Sequence, residues 1–205
     1  MRILHLADAH LRDKDIDEAE ECLNFVVATA QLERPDLVVI AGDLFDSQDI
    51  KLDSKSAKLA GIFLQQLADL APVLVAIGTP SHEGTAPEIY ELIDGVYVSV
   101  KPEQVFLQDG RIVDVETVAE YGGAEAVLSV IPTPTKQFFQ GSNEEISAAL
   151  NGIFSGFGAQ AFSYKLPHIL VYHGSVSGAT LSNHQIMTGR DIEISRDQFA
   201  LAGAD

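Results

Sequence analysis

Short apolar runs rich in β-branched residues recur along the first half of the chain, and between them hydrophobic residues return at helical spacing. Ile3 to Ala7 (ILHLA), interrupted only by His5, and the unbroken Leu37 to Ala41 (LVVIA) and Val73 to Ile77 (VLVAI) are apolar runs of strand length, the pattern of strands buried on both faces. The joining segments predict helices. Asp15 to Glu33 is acidic in its first turn, is stopped by Pro35, and carries Cys22, Phe25, Val26 and Leu32 at helical spacing. Asp53 to Leu70 places Leu59, Ile62, Phe63, Leu67 and Leu70 on one face. Strand, helix and strand in alternation make βαβ units on a mostly parallel sheet.

The alternation weakens after Ile77. Pro87 to Ile93 predicts a short helix, and Gln104 to Leu107 with Ile112 to Glu116 predicts a hairpin about Asp109-Gly110. Ala126 to Ile131 and Ile169 to Tyr172 (ILVY) predict further strands. Asn143 to Phe157 predicts a helix capped by Asn143, and Ser195 to Ala202 a helix start. With no repeat, low-complexity stretch or linker, residues 1–205 are expected to form one α/β domain.

Composition narrows the function classes. At 46% hydrophobic residues the chain has the means to fold. The single Cys22 excludes a disulfide framework or a Cys-rich zinc module, and it suits a reducing compartment. No apolar run approaches the length of a membrane span, so a cytoplasmic protein with no membrane partner is expected. Thirty acidic against 13 basic side chains give a net charge of −17, which argues against a surface that grips nucleic acid by broad phosphate neutralisation.

The candidate chemistry lies where the strands end. In open α/β sheets, ligands bind outside the carboxyl ends of strands, where the loops converge. Asp8 and His10 follow ILHLA directly, Asp43 follows LVVIA-Gly42, His82 lies in the loop after VLVAI-Gly78, and His173 follows ILVY. Three of the six His in the chain thus sit at strand ends. Carboxylates with imidazoles and no thiolate suit Mn²⁺, Fe²⁺ or Zn²⁺ better than Mg²⁺ alone. Two ions sharing one Asp would clamp the attacking and leaving oxygens of a phosphoryl displacement. Asp43 is the bridging candidate, because Gly42 lets the backbone come close. His5 and His168 are read as structural, and His184 as facing solvent.

Several motifs fail on context. Gly156 to Ala161 matches G-x-G-x-x-A as a string but follows a helix instead of a strand. Gly174 to Gly178 has Val176 where a nucleophile elbow needs Ser, and there is no Walker P-loop. The acids Asp13, Asp15, Asp17, Glu18, Glu20 and Glu21 lack the alternation and Gly of an EF-hand loop and are read as a solvated helix start.

These residues resemble the calcineurin-like metallophosphoesterases, and within them the SbcD-type nuclease subunits of double-strand-break repair complexes. Asp8-Ala9-His10 matches the first motif, D-x-H, and Gly42-Asp43-Leu44-Phe45-Asp46 matches the second, G-D-x-x-D. The third, G-N-H-[DE], falls at Gly78-Thr79-Pro80-Ser81-His82-Glu83, and the fourth at His173-Gly174. The resemblance implies a β-sandwich flanked by helices, a four-layer αββα fold, with two divalent ions and Mn²⁺ favoured. It implies that Asp8 and His10 bind the first ion, that Asp43 bridges, and that His173 binds the second. His82 would contact the scissile phosphate or protonate the leaving oxygen, a task suited to an imidazole.

The chain departs from the family at two points. Ser81, or in another alignment Thr79, stands where the family has a metal-binding Asn, and the final motif, G-H-x-H, does not occur. The resemblance therefore implies that the domain is truncated at its C-terminus, without its last strands and with each ion one ligand short. The leading expectation is a metal-dependent phosphodiesterase, a DNA exonuclease or endonuclease using a metal-activated water, with DNA as substrate and a homodimer as the assembly. The alternatives are a small-molecule phosphatase or phosphodiesterase, and a degenerate, non-catalytic module binding a partner such as an SMC-like ATPase.

Overall fold

Each apolar run of the first half becomes a strand of one sheet. In the computed structural model, which describes residues 1–116, 123–134, 141–180 and 192–205, β1 (Ile3–Leu6), β2 (Leu37–Ala41), β3 (Val73–Ala76) and β4 (Val96–Ser99) lie in the order β1-β2-β3-β4. All pairings in this sheet are parallel. Helices α1 (Ile16–Glu33) and α2 (Lys55–Ala68) make the crossovers. The continuous burial of β2 follows from a partner on each side. Val38 and Ile40, with Val73 and Val75, pack against the helices. Leu37, Val39 and Ala41, with Leu74 and Ala76, face the other way.

What they face is a second sheet. β5 (Glu103–Gln108), β6 (Arg111–Asp114), β7 (Ala124–Ile131) and β8 (His168–Tyr172) lie in the order β6-β5-β7-β8. The β5–β6 hairpin turns on Asp109 and Gly110, both at positive φ (49° and 71°), as its two-residue loop requires. β7 alternates. Ala126, Leu128 and Val130 enter the inter-sheet core, whereas Val127 and Ile131 turn outward. That outer face is covered by α3 (Asn143–Tyr164), through Ile146, Leu150, Phe154 and Ala161. The layers are helices, sheet, sheet, helix, which is the αββα sandwich that the resemblance implies. The single mostly parallel sheet read from periodicity is thereby corrected, because only the β7–β8 pairing of the second sheet is parallel.

Other differences have local causes. β4 has only four residues and is not among the predicted strands, although Val96, Val98 and Val100 alternate with Tyr97 and Ser99; Gly95, at φ 88°, turns the chain into it. α1 buries Leu23, Val27 and Ala30, and leaves Phe25 and Leu32 exposed. The helix carries two overlapping apolar stripes, and the one holding Ala30 faces the sheet. On α2, Phe63 and Leu67 are buried as expected, whereas Ile62 is exposed. α3 is capped by Ser142 in a reciprocal capping box with Glu145, not by Asn143, and it runs on to Tyr164. Gly158 stays within it because a Cβ there would meet the carbonyls of Leu201 and Ala202, so the G-x-G-x-x-A string reports packing. Before α4 (Arg196–Ala200), Ser195 forms a second capping box with Gln198. Asp13 and Asp15 are not merely solvated: Asp13 accepts from the Ser56 amide and hydroxyl at 2.8 and 2.7 Å, and Asp15 takes Nε of Arg12 at 2.5 Å.

One buried polar chain links the second sheet to α3. His168 Nε2 lies 2.7 Å from the Ser129 hydroxyl, and Gln104 donates to Ser129 at 2.9 Å and to the Phe157 carbonyl at 3.0 Å. Burial holds the His168 imidazole below its usual pKa, so it folds neutral. Its stabilising contribution is complete above about pH 6.5, the value of a free imidazole. It is lost as pH falls from there towards the folded value, because the unfolded chain takes up the proton first. Thermal unfolding between pH 8 and pH 5.5 should therefore show a fall in Tm for the wild type that is reduced in His168→Gln.

Candidate metal centre

The ends of β1 and β2 are stitched into one surface. Asp8 N donates to the Gly42 carbonyl at 3.0 Å, His10 N to Asp43 O at 3.0 Å, and Leu11 N to Leu44 O at 2.9 Å. Asp8, His10 and Asp43 all sit in left-handed backbone, at φ 57°, 46° and 53°. Three non-glycine residues so placed, within two adjoining loops, hold their side chains toward one point at a cost of about 1–3 kcal/mol each. Gly42, at φ 91°, has no alternative, since a Cβ there would strike the His173 ring and the backbone of Gly78. Gly78 is equally confined, because its Cβ would enter Asp43 itself.

Asp43 is buried at the centre. Its Oδ1 accepts from the Thr79 amide at 2.5 Å and lies 3.4 Å from His173 Nε2. Oδ2 lies 2.7 Å from His82 Nδ1, 3.2 Å from the Thr79 hydroxyl that donates to it, and 3.8 Å from His10 Nε2. Burial opposes ionisation of this carboxyl, but hydrogen bonds from His173, His82 and the Thr79 amide outweigh it and hold the pKa well below the usual carboxylate range. Asp43 is an anion whose two oxygens point into two different sets of donors. Asp8, Asp43 and His173 form one set and His10, Asp43 and His82 the other, each with donor atoms within 4.8 Å of one another.

The imidazoles are aimed by their far nitrogens. His173 Nδ1 lies 2.5 Å from the Ala41 carbonyl, which can only accept, so Nδ1 carries the proton and Nε2 is directed at Asp43. In the neutral ring that sets a lone pair against carboxylate Oδ1, a repulsion removed by a cation between them. Without a metal, that cation is a proton: burial lowers the His173 pKa, but the Asp43 hydrogen bond and charge raise it further. His10 Nδ1 lies 3.5 Å from Asp46, whose carboxylate also meets Arg12 at 3.4 Å, while its Nε2 faces Asp8 at 3.7 Å as well as Asp43. The nitrogen and oxygen donors, the absence of thiolate from either set, and this confrontation of lone pairs all fit a pair of borderline divalent ions.

All five strand-end residues, Asp8, His10, Asp43, His82 and His173, therefore meet at one edge. Ser81 does not join them. It is exposed, and its carbonyl accepts from Gln48 at 3.3 Å, whereas Thr79 touches both oxygens of Asp43. His168 is buried in the second sheet, and His5 lines a cavity of about 420 Å³ that also reaches Asp8, Asp43 and His173. His184 lies outside the described residues. Sequence reasoning missed Asp46 and Glu83. The second acid of G-D-x-x-D was the available signal for Asp46, and an acid closing the third motif was the signal for Glu83. Glu83 is fully buried and accepts from Leu44 N at 2.6 Å, from Phe45 N at 3.4 Å and from Gly78 N.

Residues 1–198 match the family model described as calcineurin-like phosphoesterase. The chain belongs to the calcineurin-like phosphoesterases. Metal-dependent phosphoester hydrolysis is the chemistry of this family, and the donor sets around Asp43 are where this phosphoesterase would hold its ions. Among curated proteins, it is 42% identical over 90 residues to the DNA double-strand break repair protein Mre11 of Aeropyrum pernix. That alignment covers 39% of this chain, which spans 22% of the relative's length. No helix among the described residues is long and apolar enough to cross a membrane.

The confinement of Gly42 predicts a large effect from one methyl group. Gly42→Ala should lower stability by roughly 2–4 kcal/mol, combining backbone strain with a clash. Gly110, at φ 71° with nothing within 4 Å of where a Cβ would sit, separates the two effects. Gly110→Ala should cost only about 1 kcal/mol. Thermal unfolding of the two variants side by side measures the difference.

Proposed function

We propose that this phosphoesterase is the metal-bearing part of a DNA-cleaving phosphodiesterase of the double-strand-break repair type, using two divalent ions with Mn²⁺ favoured. The observation that carries the two-ion reading is Asp43, one buried carboxylate whose oxygens face separate donor sets. The DNA reading is supported by the partial likeness to the Aeropyrum Mre11 protein. When bound, such ions supply positive charge opposite the phosphate oxygens and render a water acidic enough to attack at neutral pH.

The residues have distinct tasks. Asp43 bridges. Asp8 and His10, whose Nε2 lies 3.7 Å from Asp8, would hold one ion and His173 the second, although the donor sets group Asp8 with His173 and His10 with His82. Thr79, in place of the family's Asn, orients the bridging carboxylate, and its hydroxyl is a neutral oxygen that could substitute for the amide. His82, partly exposed, is tied to Asp43 through Nδ1, and its ring lies edge-on to that of His10 at 4.9 Å. It contacts the scissile phosphate or gives a proton to the leaving oxygen. Assembly with a second copy or with an SMC-like ATPase completes this reading, and the exposed Phe25 and Leu32 on α1 offer apolar area for such a contact.

The separation of roles is testable by calorimetry with Mn²⁺ and by hydrolysis assays. Asp43→Asn should abolish metal binding and any activity together. His82→Ala should keep Mn²⁺ affinity within a few-fold and lower turnover by about 10²–10⁴, the usual contribution of a general acid. Loss of Mn²⁺ in the His82 variant would make that residue a ligand instead. Bis-p-nitrophenyl phosphate, single-stranded DNA and double-stranded DNA separate the substrate classes. Turnover of the small diester alone points to a small-molecule phosphodiesterase, and Mn²⁺ binding with no turnover points to a non-catalytic binding module.

A further inference from the structure

The metal-facing side chains are carried by loops that leave neighbouring strands, and beside Asp43 two of these loops are joined through a side chain. Leu44 and Phe45 follow Asp43 out of β2, and Gly78 begins the loop after β3. Their three amides all turn to one carboxylate. Glu83 Oε2 accepts from Leu44 N at 2.6 Å and Phe45 N at 3.4 Å, and Oε1 accepts from Gly78 N. Residues between Gly78 and Glu83 wind into a single turn, in which His82 N and Glu83 N reach back to the Thr79 carbonyl at 2.9 and 3.1 Å. The turn therefore folds Glu83 beneath the loop whose Thr79 and His82 grip Asp43 from the other side.

A fully buried carboxylate with no Lys or Arg partner among the described residues is an expensive way to fill space. Its two oxygens, split between two loops, give it a purpose that an apolar residue could not serve. We infer that Glu83 is a positioning residue: its carboxylate clamps the β2 and β3 loops together beneath Asp43 and so sets the separation of the two metal-binding sets. Glutamine has the same length but one acceptor oxygen, so one loop would meet an amide NH₂ and be pushed away. Aspartate keeps the charge and both oxygens but is one methylene too short to reach both loops.

The inference rests on the metal-centre reading, and its test separates the two. Mn²⁺ binding to the 205-residue chain is measured by calorimetry and by the Mn²⁺-induced rise in Tm, for the wild type, Glu83→Gln, Glu83→Asp and Ser129→Ala. The last removes a buried hydroxyl of the second sheet and controls for lost stability. At temperatures well below each variant's Tm, Glu83→Gln and Glu83→Asp should weaken Mn²⁺ binding at least tenfold, whereas Ser129→Ala should bind within twofold of the wild type. Mn²⁺ binding by Glu83→Gln within twofold of the wild type overturns the inference, as does rescue by Glu83→Asp, which would make charge alone sufficient. If both Glu83 variants fail to fold while Ser129→Ala folds, the residue serves folding and the positioning role is overturned. Absence of Mn²⁺ binding by the wild type removes the metal-centre reading itself, and this inference with it.

Discussion

The ionised carboxylate of Asp43, buried where four strand ends meet, is the constraint on which the site depends. An isolated charge in such a place would neutralise itself. This one stays ionised because Thr79, His82 and His173 supply donors from three directions. Donors so close need backbones so close, and Gly42 and Gly78 are the positions where any side chain would intrude. The left-handed conformations of Asp8, His10 and Asp43 are the companion cost, and the inter-loop hydrogen bonds from β1 to β2 maintain them. Strain, glycine placement and charge are thus one arrangement seen at three levels.

The second sheet is part of that arrangement. His173 follows β8, which the β7–α3–β8 crossover lays beside β7 across the inter-sheet core from β2. The ring reaches Asp43 because its Nδ1 is docked on the Ala41 carbonyl of β2 itself. Packing of Val39, Ala41, Leu74 and Ala76 against Leu128, Val130 and Val171 therefore fixes a metal-donor distance as well as a fold. Small residues, Ala41 and Ala76, close the β2 and β3 ends.

Much of this was legible in the sequence, for physical reasons that differ by element. Doubly buried strands announce themselves as apolar runs, so β2, β3 and β7 could be found; β1 and β8 lie at sheet edges and are only partly buried, but their apolar residues marked them too, and the metal-loving residues after β1, β2, β3 and β8 followed. The Asp109-Gly110 turn was legible because positive φ at two successive positions selects those residues. Helix rotation was not legible: α1 has two apolar stripes, and only packing decides that Leu23, Val27 and Ala30 go inward while Phe25 and Leu32 stay out. The substitute for the family's Asn was equally undecidable. A loop longer than the motif leaves both Ser81 and Thr79 in register, and only the fold shows that Thr79 lies against Asp43 while Ser81 is exposed. Glu83 was marked only by the acid that closes the third motif, because its partners are main-chain amides, which leave no mark of their own.

The net charge of −17 acquires a specific meaning at this edge. A phosphodiester approaching the protein meets a repelling field, and the strand-end carboxylates Asp8, Asp43 and Asp46 deepen it locally. Arg12 offers little relief, because Asp15 and Asp46 both engage its guanidinium. The same carboxylates are what would concentrate divalent cations, and two of these reverse the sign of the field over a few ångströms while the surrounding surface stays negative. Attraction would then be confined to the point of chemistry, so affinity for a phosphate chain must rise and fall with metal occupancy instead of with the number of backbone contacts. An acidic phosphoesterase built this way would gain its hold on substrate and its reactivity from the same ions, and the buried Asp43 is what would make the two inseparable.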